Sequence, residues 1–380
     1  MNAAANTKPA PPTLDVPLLD LKPQYAPLKK EVMAVFEAIL DSQVMVNGPA
    51  VAQFEEEAAA YCGSQFAVGC SSGTDALILA LMAMDLKPGD EVITTPFTFF
   101  ATAGSIQRRG LKPVFVDIDP ETFNLDTEQV QDIITEKTRA IMPVHLFGQM
   151  ADMDDVLDLA EKHELSVIED AAQAIGARQH DAHAGSLGHC GCFSFFPSKN
   201  LGGAGDAGLV TTNDETVAKR LRMLRNHGAH GGYYHDEVGG NFRIDTLQAA
   251  YLSVKLKHLD AWHEGRRENA AFYDEQLADV KQVKTPVIAE GNQSIYNQYV
   301  IRAENRDELQ QYLGQAGVGS AVYYPLCLHM QKCFEEFGYS RGDFPHAEHA
   351  CSEVLALPIF PELSDEQQSH VAETIKRFYQ

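Results

Sequence analysis

From residue 66 onward, short apolar runs alternate with longer amphipathic stretches. FAVGC (66–70) precedes GTDALILALMAM (73–84), and EVITT (91–95) precedes FFATAGSIQRRG (99–110). KPVFVD (112–117) precedes DTEQVQDIIT (126–135), and RAIMPVH (139–145) precedes DMDDVLDLAEKH (152–163), with LSVIED (165–170) next. Strand-sized runs alternating with helix-period segments predict βαβ units. The expected class is therefore α/β, with a mostly parallel mixed sheet flanked by helices. Such sheets bind ligands at the carboxyl ends of their strands. That singles out residues 71–74, 96–99, His145 and residues 170–173.

Two more β-runs, CFSFF (192–196) and GLVTT (208–212), flank a lysine, Lys199. A helix is expected after Asn213-Asp214, ending near RNHG. A glycine-rich loop (228–241) and a helix from about Thr246 to Trp262 follow. The pattern then changes. A helix to about Leu277, a polar linker, YNQYVIRA (296–303), a further helix and GSAVYY (319–324) predict a smaller C-terminal α/β domain. Its last helix begins at Ser364, with Gln367 three residues on as a capping box. The expected division is a flexible tail over 1–17, a large domain over 18–262 and a small one over 263–380.

Charge narrows the partners. With 53 acidic and 30 basic residues the net charge is −23, which argues against nucleic acid or anionic membrane as ligands. Nine of the 30 basic residues lie between Lys219 and Arg267. A phosphate-rich ligand would be expected near them, unless they are solvated helix faces. The seven cysteines form no C-x-x-C pair and read as free thiols of a reducing compartment. His189, Cys190 and Cys192, or His346 and His349, match no known zinc spacing, so no metal is expected. The N-terminus lacks the pattern of a secretory signal, and the longest apolar run is too short to span a bilayer. A cytoplasmic protein is expected.

Lys199 itself admits three readings: a solvated loop charge, a phosphate contact or a nucleophile. Gly203 to Gly208 also satisfies the G-x-G-x-x-G dinucleotide pattern. That fingerprint must follow a strand and open a helix, whereas here the glycines lead into the β-like GLVTT. The Walker pattern is absent.

The strand-end residues offer a better account. Ser72-Gly73-Thr74-Asp75 stands between a β-run and an apolar helix. It is either a plain N-cap or an anion cup, with free N–H groups, hydroxyls and the positive end of the helix dipole. Asp170 ends a buried apolar run, as a helix cap or as the partner of a cationic ring nitrogen. A Schiff-base lysine, an aspartate for a pyridinium and a phosphate at a helix N-terminus together describe a pyridoxal 5′-phosphate site.

At this point the chain resembles the DegT/DnrJ/EryC1/StrS sugar aminotransferases, of the aspartate-aminotransferase fold (fold type I). The match extends from PLLDLKPQYAPLKKEV through GDEVITTPFTFFATA, VIEDAAQAIGA, SFFPSKNLG and GNFRIDTLQAA to LPIFPEL. What the resemblance implies is specific. Lys199 would bond covalently to the cofactor and then shuttle protons, and Asp170 would keep the ring nitrogen protonated. Gln173 would approach the ring's 3-oxygen, and Phe99 would stack on the ring, with Phe97 and Phe100 as core. Gly73, Thr74 and Ser194 would hold the phosphate, completed by Asn241 from the other subunit of a homodimer. Candidate substrate contacts are His145, His227, Arg243, Tyr323, Tyr324 and His329. Relatives with histidine in place of the lysine catalyse dehydrations; the lysine here implies transamination. The implied activity moves an amino group from L-glutamate to a keto-sugar nucleotide, UDP- or dTDP-linked, in amino-sugar and polysaccharide biosynthesis. SIYNQYVIR most resembles enzymes acting on 3-oxo sugars, with a 4-oxo sugar or a non-catalytic regulator as alternatives. Two departures from the family pattern stand out. Ala207 replaces a glycine, and Tyr323-Tyr324-Pro325 and Cys327 occupy positions that face substrate in the family.

Overall fold

The computed structural model describes residues 12–380. Its main element is a seven-stranded sheet ordered Phe66–Cys70, Gly208–Thr212, Cys190–Ser194, Ser166–Asp170, Thr138–Ile141, Glu91–Thr94, Lys112–Phe115. Only Gly208–Thr212 runs antiparallel to its neighbours, so the expected mixed, mostly parallel sheet is what forms.

Both faces of this sheet are buried, and the period-two alternation of strand side chains assigns residues to them. Ala67, Ile93, Ile141, Val167, Phe193 and Leu209 join one apolar cluster, with helices Pro49–Tyr61 and Met153–His163. Val68, Val92, Ala140, Ile168, Cys192 and Val210 join the other, with helix Gly73–Ala83. That helix is buried nearly all round, including Leu77, Leu79 and Leu81. Each such leucine contributes about 1.5–3 kcal/mol by leaving water. The apolar run that is too short for a bilayer is thus a core helix. Among the described residues no helix is long and apolar enough to cross a membrane.

A second sheet, Val283–Lys284, Tyr299–Ala303 and Val354–Leu357, is antiparallel. Helices Leu259–Leu277 and Asp365–Tyr379 contribute to its separate core. The Ser364 capping box is present.

Four local expectations change. The helix expected from Thr246 to Trp262 breaks at Lys257–His258, and its successor, Leu259–Leu277, runs across the boundary expected at 262/263. DTEQVQDIIT forms only two short turns, Thr127–Gln129 and Val130–Ile133. Asp126 opens the first, but the chain is extended again at Ile134. The glycine-rich loop carries a small hairpin, Ala229–Gly231 with Tyr234–His235. Residues 1–11 of the expected tail lie outside the described residues. Val16, which belongs to it, is fully buried and bridges to Val318, because the second core has a place for an apolar side chain there.

Candidate active site

Strand Phe66–Cys70 ends just before helix Gly73–Ala83, and the turn between them is made possible by two glycines. A Cβ on Gly73 would stand 2.6 Å from the Ser194 Cβ, and one on Gly208 would stand 2.3 Å from the Ser72 carbonyl oxygen. No larger residue lets the helix N-terminus come this close to strand Cys190–Ser194. The Ser72 hydroxyl accepts from the Asp75 N–H at 3.1 Å, so the N-cap reading holds. It consumes only that donor. Among the described residues the Gly73 and Thr74 N–H groups have no acceptor and stand at the positive end of the dipole, with the Thr74 and Ser194 side chains beside them. The cap and the anion cup are the same structure.

Asp170 ends strand Ser166–Asp170 and is 4% exposed. No helix follows, so it is not a helix cap. One carboxyl oxygen accepts from the Thr102 hydroxyl at 2.7 Å and the other from the Ala172 N–H at 3.2 Å. Burial pushes this carboxyl above the usual range; those two donors and the Lys199 charge pull it back. A carboxylate so placed is best satisfied by a further cationic hydrogen-bond donor.

Lys199 lies in a tight loop between Cys190–Ser194 and Gly208–Thr212. Its N–H donates to the Phe196 carbonyl at 2.8 Å, and the Gly203 N–H donates to Phe195 at 2.8 Å. Gly202 passes so near Pro197 that a Cβ would fall 2.1 Å from its carbonyl oxygen. The buried Lys255 ammonium donates to the Gly202 carbonyl at 2.7 Å and pins the loop from below. The Lys199 ammonium has no hydrogen-bond acceptor among the described residues. Crowding by protein lowers its pKa to about 8, against the opposing pull of Asp170. Of the three readings of Lys199, the geometry supports a nucleophile or base. The dinucleotide pattern does not open a helix: Gly208 begins a strand, and the Gln248 side chain accepts from the Ala204 N–H. Ala207 is buried in ordinary backbone, so the departure from glycine there carries no strain.

These groups converge on a cavity of about 410 Å³. Of the residues expected from the sequence, Gly73, Thr74, Phe99, Asp170, Gln173, Ser194, Lys199, Tyr323 and Tyr324 line it. The Gln173 side-chain oxygen accepts from the Phe147 N–H at 2.7 Å, and its amide donates to the Tyr324 hydroxyl at 3.2 Å. Phe99 is 60% exposed and free to cover a ligand, and Phe97 is core as expected. Phe100 is not, since it is 46% exposed and stacks on Phe334.

Five expected residues are not brought to the cavity. His145 is fully buried behind Asp170: its Nε2 faces Glu169 at 2.9 Å and its Nδ1 accepts from the Ala151 N–H at 3.1 Å, so both ring nitrogens are engaged. His329 is buried against Phe344 and Glu348. His227 is exposed elsewhere, and Arg243 donates to Asn226 at 2.7 Å. Asn241 is exposed, pairing with Asn226 through the backbone. Nor do the basic residues between Lys219 and Arg267 supply a phosphate site in the cavity. Arg220 binds Asp85 and Glu237, Arg225 binds Glu55, and Lys257 binds Glu31. Cys327 also turns away from the cavity, toward Cys351.

Sequence reasoning missed Thr102 and Gln298. Thr102 lies in the first turn of helix Ala101–Arg108, where only the fold reveals that its hydroxyl meets Asp170. Gln298 lines the cavity from the second region, and its buried Oε1 has no partner among the described residues.

The residues present fit pyridoxal 5′-phosphate. The cradle at Gly73, Thr74 and Ser194 suits a phosphate, Asp170 suits a protonated ring nitrogen, and the unpaired amine of Lys199 suits an aldehyde. Comparison with known proteins agrees. The DegT/DnrJ/EryC1/StrS aminotransferase family model matches residues 27–376. A "Pleiotropic regulatory protein" of Geobacillus stearothermophilus is 51% identical over 370 residues, 96% of this chain and 99% of that one. A UDP-N-acetyl-3-dehydro-alpha-D-glucosamine 3-aminotransferase of Acidithiobacillus ferrooxidans is 44% identical, covering 95% and 97%. The crystal structure of DesV from S. venezuelae superposes with a TM-score of 0.95 at 40% identity, covering 97% of this chain and 99% of that one.

Proposed function

As the chain belongs to the DegT/DnrJ/EryC1/StrS aminotransferase family, we propose that it moves an amino group from L-glutamate to the keto carbon of a 3-oxo sugar nucleotide, UDP- or dTDP-linked. The observation that carries this reading is one cavity holding Lys199, Asp170 and an anion cradle. The relative that acts on a 3-dehydro sugar nucleotide supports the position of the keto group.

Bound pyridoxal 5′-phosphate supplies an electron sink that acidifies the carbon bearing the amino group. The chain supplies the rest. Gly73 and Thr74 N–H groups and the Thr74 and Ser194 hydroxyls bind the phosphate. Asp170 holds a proton on the ring nitrogen, and Thr102 orients that carboxylate. Lys199, whose pKa burial already lowers to about 8 in the cofactor-free site, is the group placed to accept and return a proton. Phe99 excludes water from one face, and Tyr323, Tyr324 and Gln298 wall the side left for the sugar.

The unit is a homodimer with composite sites, in the cytoplasm, serving amino-sugar and polysaccharide biosynthesis. The exposed Met33, Leu40, Val44 and Val46 support an interface. Asn241, exposed outside its own cavity, would serve the partner's phosphate. A purely regulatory chain would have no use for the Lys199–Asp170 arrangement.

The test is to load the protein with pyridoxamine phosphate and offer 3-oxo and 4-oxo sugar nucleotides of both nucleotide types. Return of the aldehyde-form absorbance and the mass of the amino sugar report turnover. The 3-oxo substrates should win by ~10-fold or more in kcat/KM. A preference for 4-oxo substrates would overturn the regiochemistry, and no turnover with any would overturn the activity.

A further inference from the structure

Of the seven cysteines, Cys62, Cys70, Cys190 and Cys192 are buried in the two clusters on the large sheet, and Cys333 is exposed. Cys327 and Cys351 differ. They come from segments 24 residues apart, yet their sulfurs stand 3.2 Å from each other. Their backbones are already joined nearby: Ala321 and Ala356 exchange hydrogen bonds at 3.3 and 2.7 Å. Tyr323 and Tyr324, which line the active-site cavity, lie between Ala321 and Cys327. One end of this short segment is thus fixed by backbone pairing; the other is held by the sulfur contact and, one residue on, by the Leu328 N–H donating to the Pro96 carbonyl at 2.8 Å.

The opposite side of the pair lines a separate cavity of about 300 Å³, with Arg306, Arg341 and Met330. Both cysteines are buried, but this cavity shares no lining residue with the active-site cavity and is the side from which a small reagent would approach them. The pair is also asymmetric. Either sulfur can donate in this contact, but the Arg306 guanidinium, which donates to the Cys351 carbonyl at 3.3 Å, favours the Cys351 thiolate by its charge. Cys351 is therefore the attacking sulfur.

We propose that Cys327 and Cys351 are a dithiol modification site, converted by small organic disulfides to an intramolecular bridge that repositions the Tyr323–Tyr324 wall. The Cys351 thiolate attacks one sulfur of the reagent disulfide and expels one thiolate. Cys327 then loses its proton and attacks the Cys351 sulfur of the mixed disulfide, expelling the second. Two protein thiols are oxidised and one reagent disulfide is reduced to two thiols. Closing the sulfurs from 3.2 Å to about 2 Å draws residue 327 toward helix Pro345–Glu353, and because the Leu328 N–H holds the far side to Pro96, the shift is taken up in the segment that carries the tyrosines.

The holoenzyme, wild type and Cys333→Ser, is treated with 2-hydroxyethyl disulfide. Peptide mapping should find a Cys327–Cys351 cross-link with loss of two hydrogens, reversed by dithiothreitol. Hydrogen exchange across residues 321–326 should change by roughly threefold or more. KM for the sugar nucleotide should rise several-fold more than kcat falls; this kinetic arm rests on the proposed function, whereas mapping and exchange do not. Cys351→Ser should abolish the cross-link and the exchange response, and Cys327→Ala serves the same purpose if that variant fails to fold. A persistent mixed disulfide with no cross-link overturns the proposal, as does a cross-link that leaves exchange in 321–326 unchanged.

Discussion

The cavity has two walls of different construction. One is the carboxyl edge of the seven-stranded sheet, where Gly73, Ser194, Asp170 and Lys199 sit on or beside regular elements and are braced by close contacts. The other is irregular chain from the second region, Gln298 and Tyr323–Tyr324, with few contacts to the charged groups beyond the Gln173–Tyr324 hydrogen bond. The first wall holds the groups that move protons; the second holds polar and aromatic groups suited to recognition. The Tyr324 phenol, pushed up by burial, stays neutral throughout. Chemistry and recognition are thus borne by different parts of the fold, and the difference should separate kcat from KM.

The strongest test of that separation is Lys199→Ala. The variant should fold and still bind cofactor through the phosphate cradle, with kcat reduced by at least ~10³-fold. Steady-state transamination retained at a tenth of wild type or more would remove Lys199 from the chemistry. Asp170→Asn should cost roughly 10²-fold in kcat with little change in KM. A drop of only a few-fold would reduce Asp170 to a structural partner of Thr102.

Gly73→Ala probes the bracing itself. The new Cβ meets the Ser194 Cβ at 2.6 Å, so the helix N-terminus must retreat from strand Cys190–Ser194. Overpacking of this kind costs about 1–3 kcal/mol, read as a lowered Tm and as weaker cofactor binding by equilibrium dialysis. Unchanged affinity would mean that the cradle tolerates movement.

Uptake of cofactor should also depend on pH. The free Lys199 amine is the reactive form, and its pKa is lowered to about 8 by burial. Loading of the cofactor-free protein should therefore speed up about tenfold per pH unit below that value and level off above it. The same shift implies that, from about pH 8 toward the ordinary lysine value, the unfolded chain binds more protons than the folded one, so this lysine's penalty on the fold fades as pH rises. Stopped-flow absorbance between pH 6 and 10 checks the rate. A profile still rising at the ordinary lysine value, near pH 10.4, would show that Lys199 is not desolvated.

The contrast between the walls also explains what could be read from the chain. The first wall was legible because strand ends are marked by short apolar runs, and Asp170 ends one while Gly73 and Lys199 follow others within a few residues. Asp170 alone stayed open between a helix cap and a ring-nitrogen partner; only the fold removes the cap, because no helix follows the strand. Thr102 was invisible because its role depends on a helix turning its first turn over a strand distant in sequence. His145 misled for the reverse reason: a strand-end histidine looks available, but Glu169 and the Ala151 N–H engage both its nitrogens. The basic segment, read either as a phosphate neighbourhood or as solvated helix faces, is instead largely paired with carboxylates that fold against it. The second wall was less legible. Gln298 and the two tyrosines lie in runs read as elements of the small domain, but Gln298 precedes its strand and only Ala321 of GSAVYY makes a bridge. The departure at Cys327 proved to face another cysteine rather than the cavity.

The smallest expected effect is the most discriminating. In Tyr324→Phe the ring stays and only the hydroxyl leaves. The Gln173 amide then loses its acceptor, while the Gln173 side-chain oxygen keeps the Phe147 N–H. One ordinary hydrogen bond is worth about 1 kcal/mol net, so the change should amount to a few-fold. Because Tyr324 belongs to the wall that recognises, the loss should fall mainly on KM for the sugar nucleotide, with kcat nearly unchanged. Tyr323→Phe is the control, since Tyr323 lines the same cavity without a hydrogen bond to Gln173. If Tyr324→Phe instead lowers kcat as Asp170→Asn does, the hydroxyl acts on the chemistry through Gln173. The two walls would then be one catalytic unit, and the division between them would fail at that hydrogen bond.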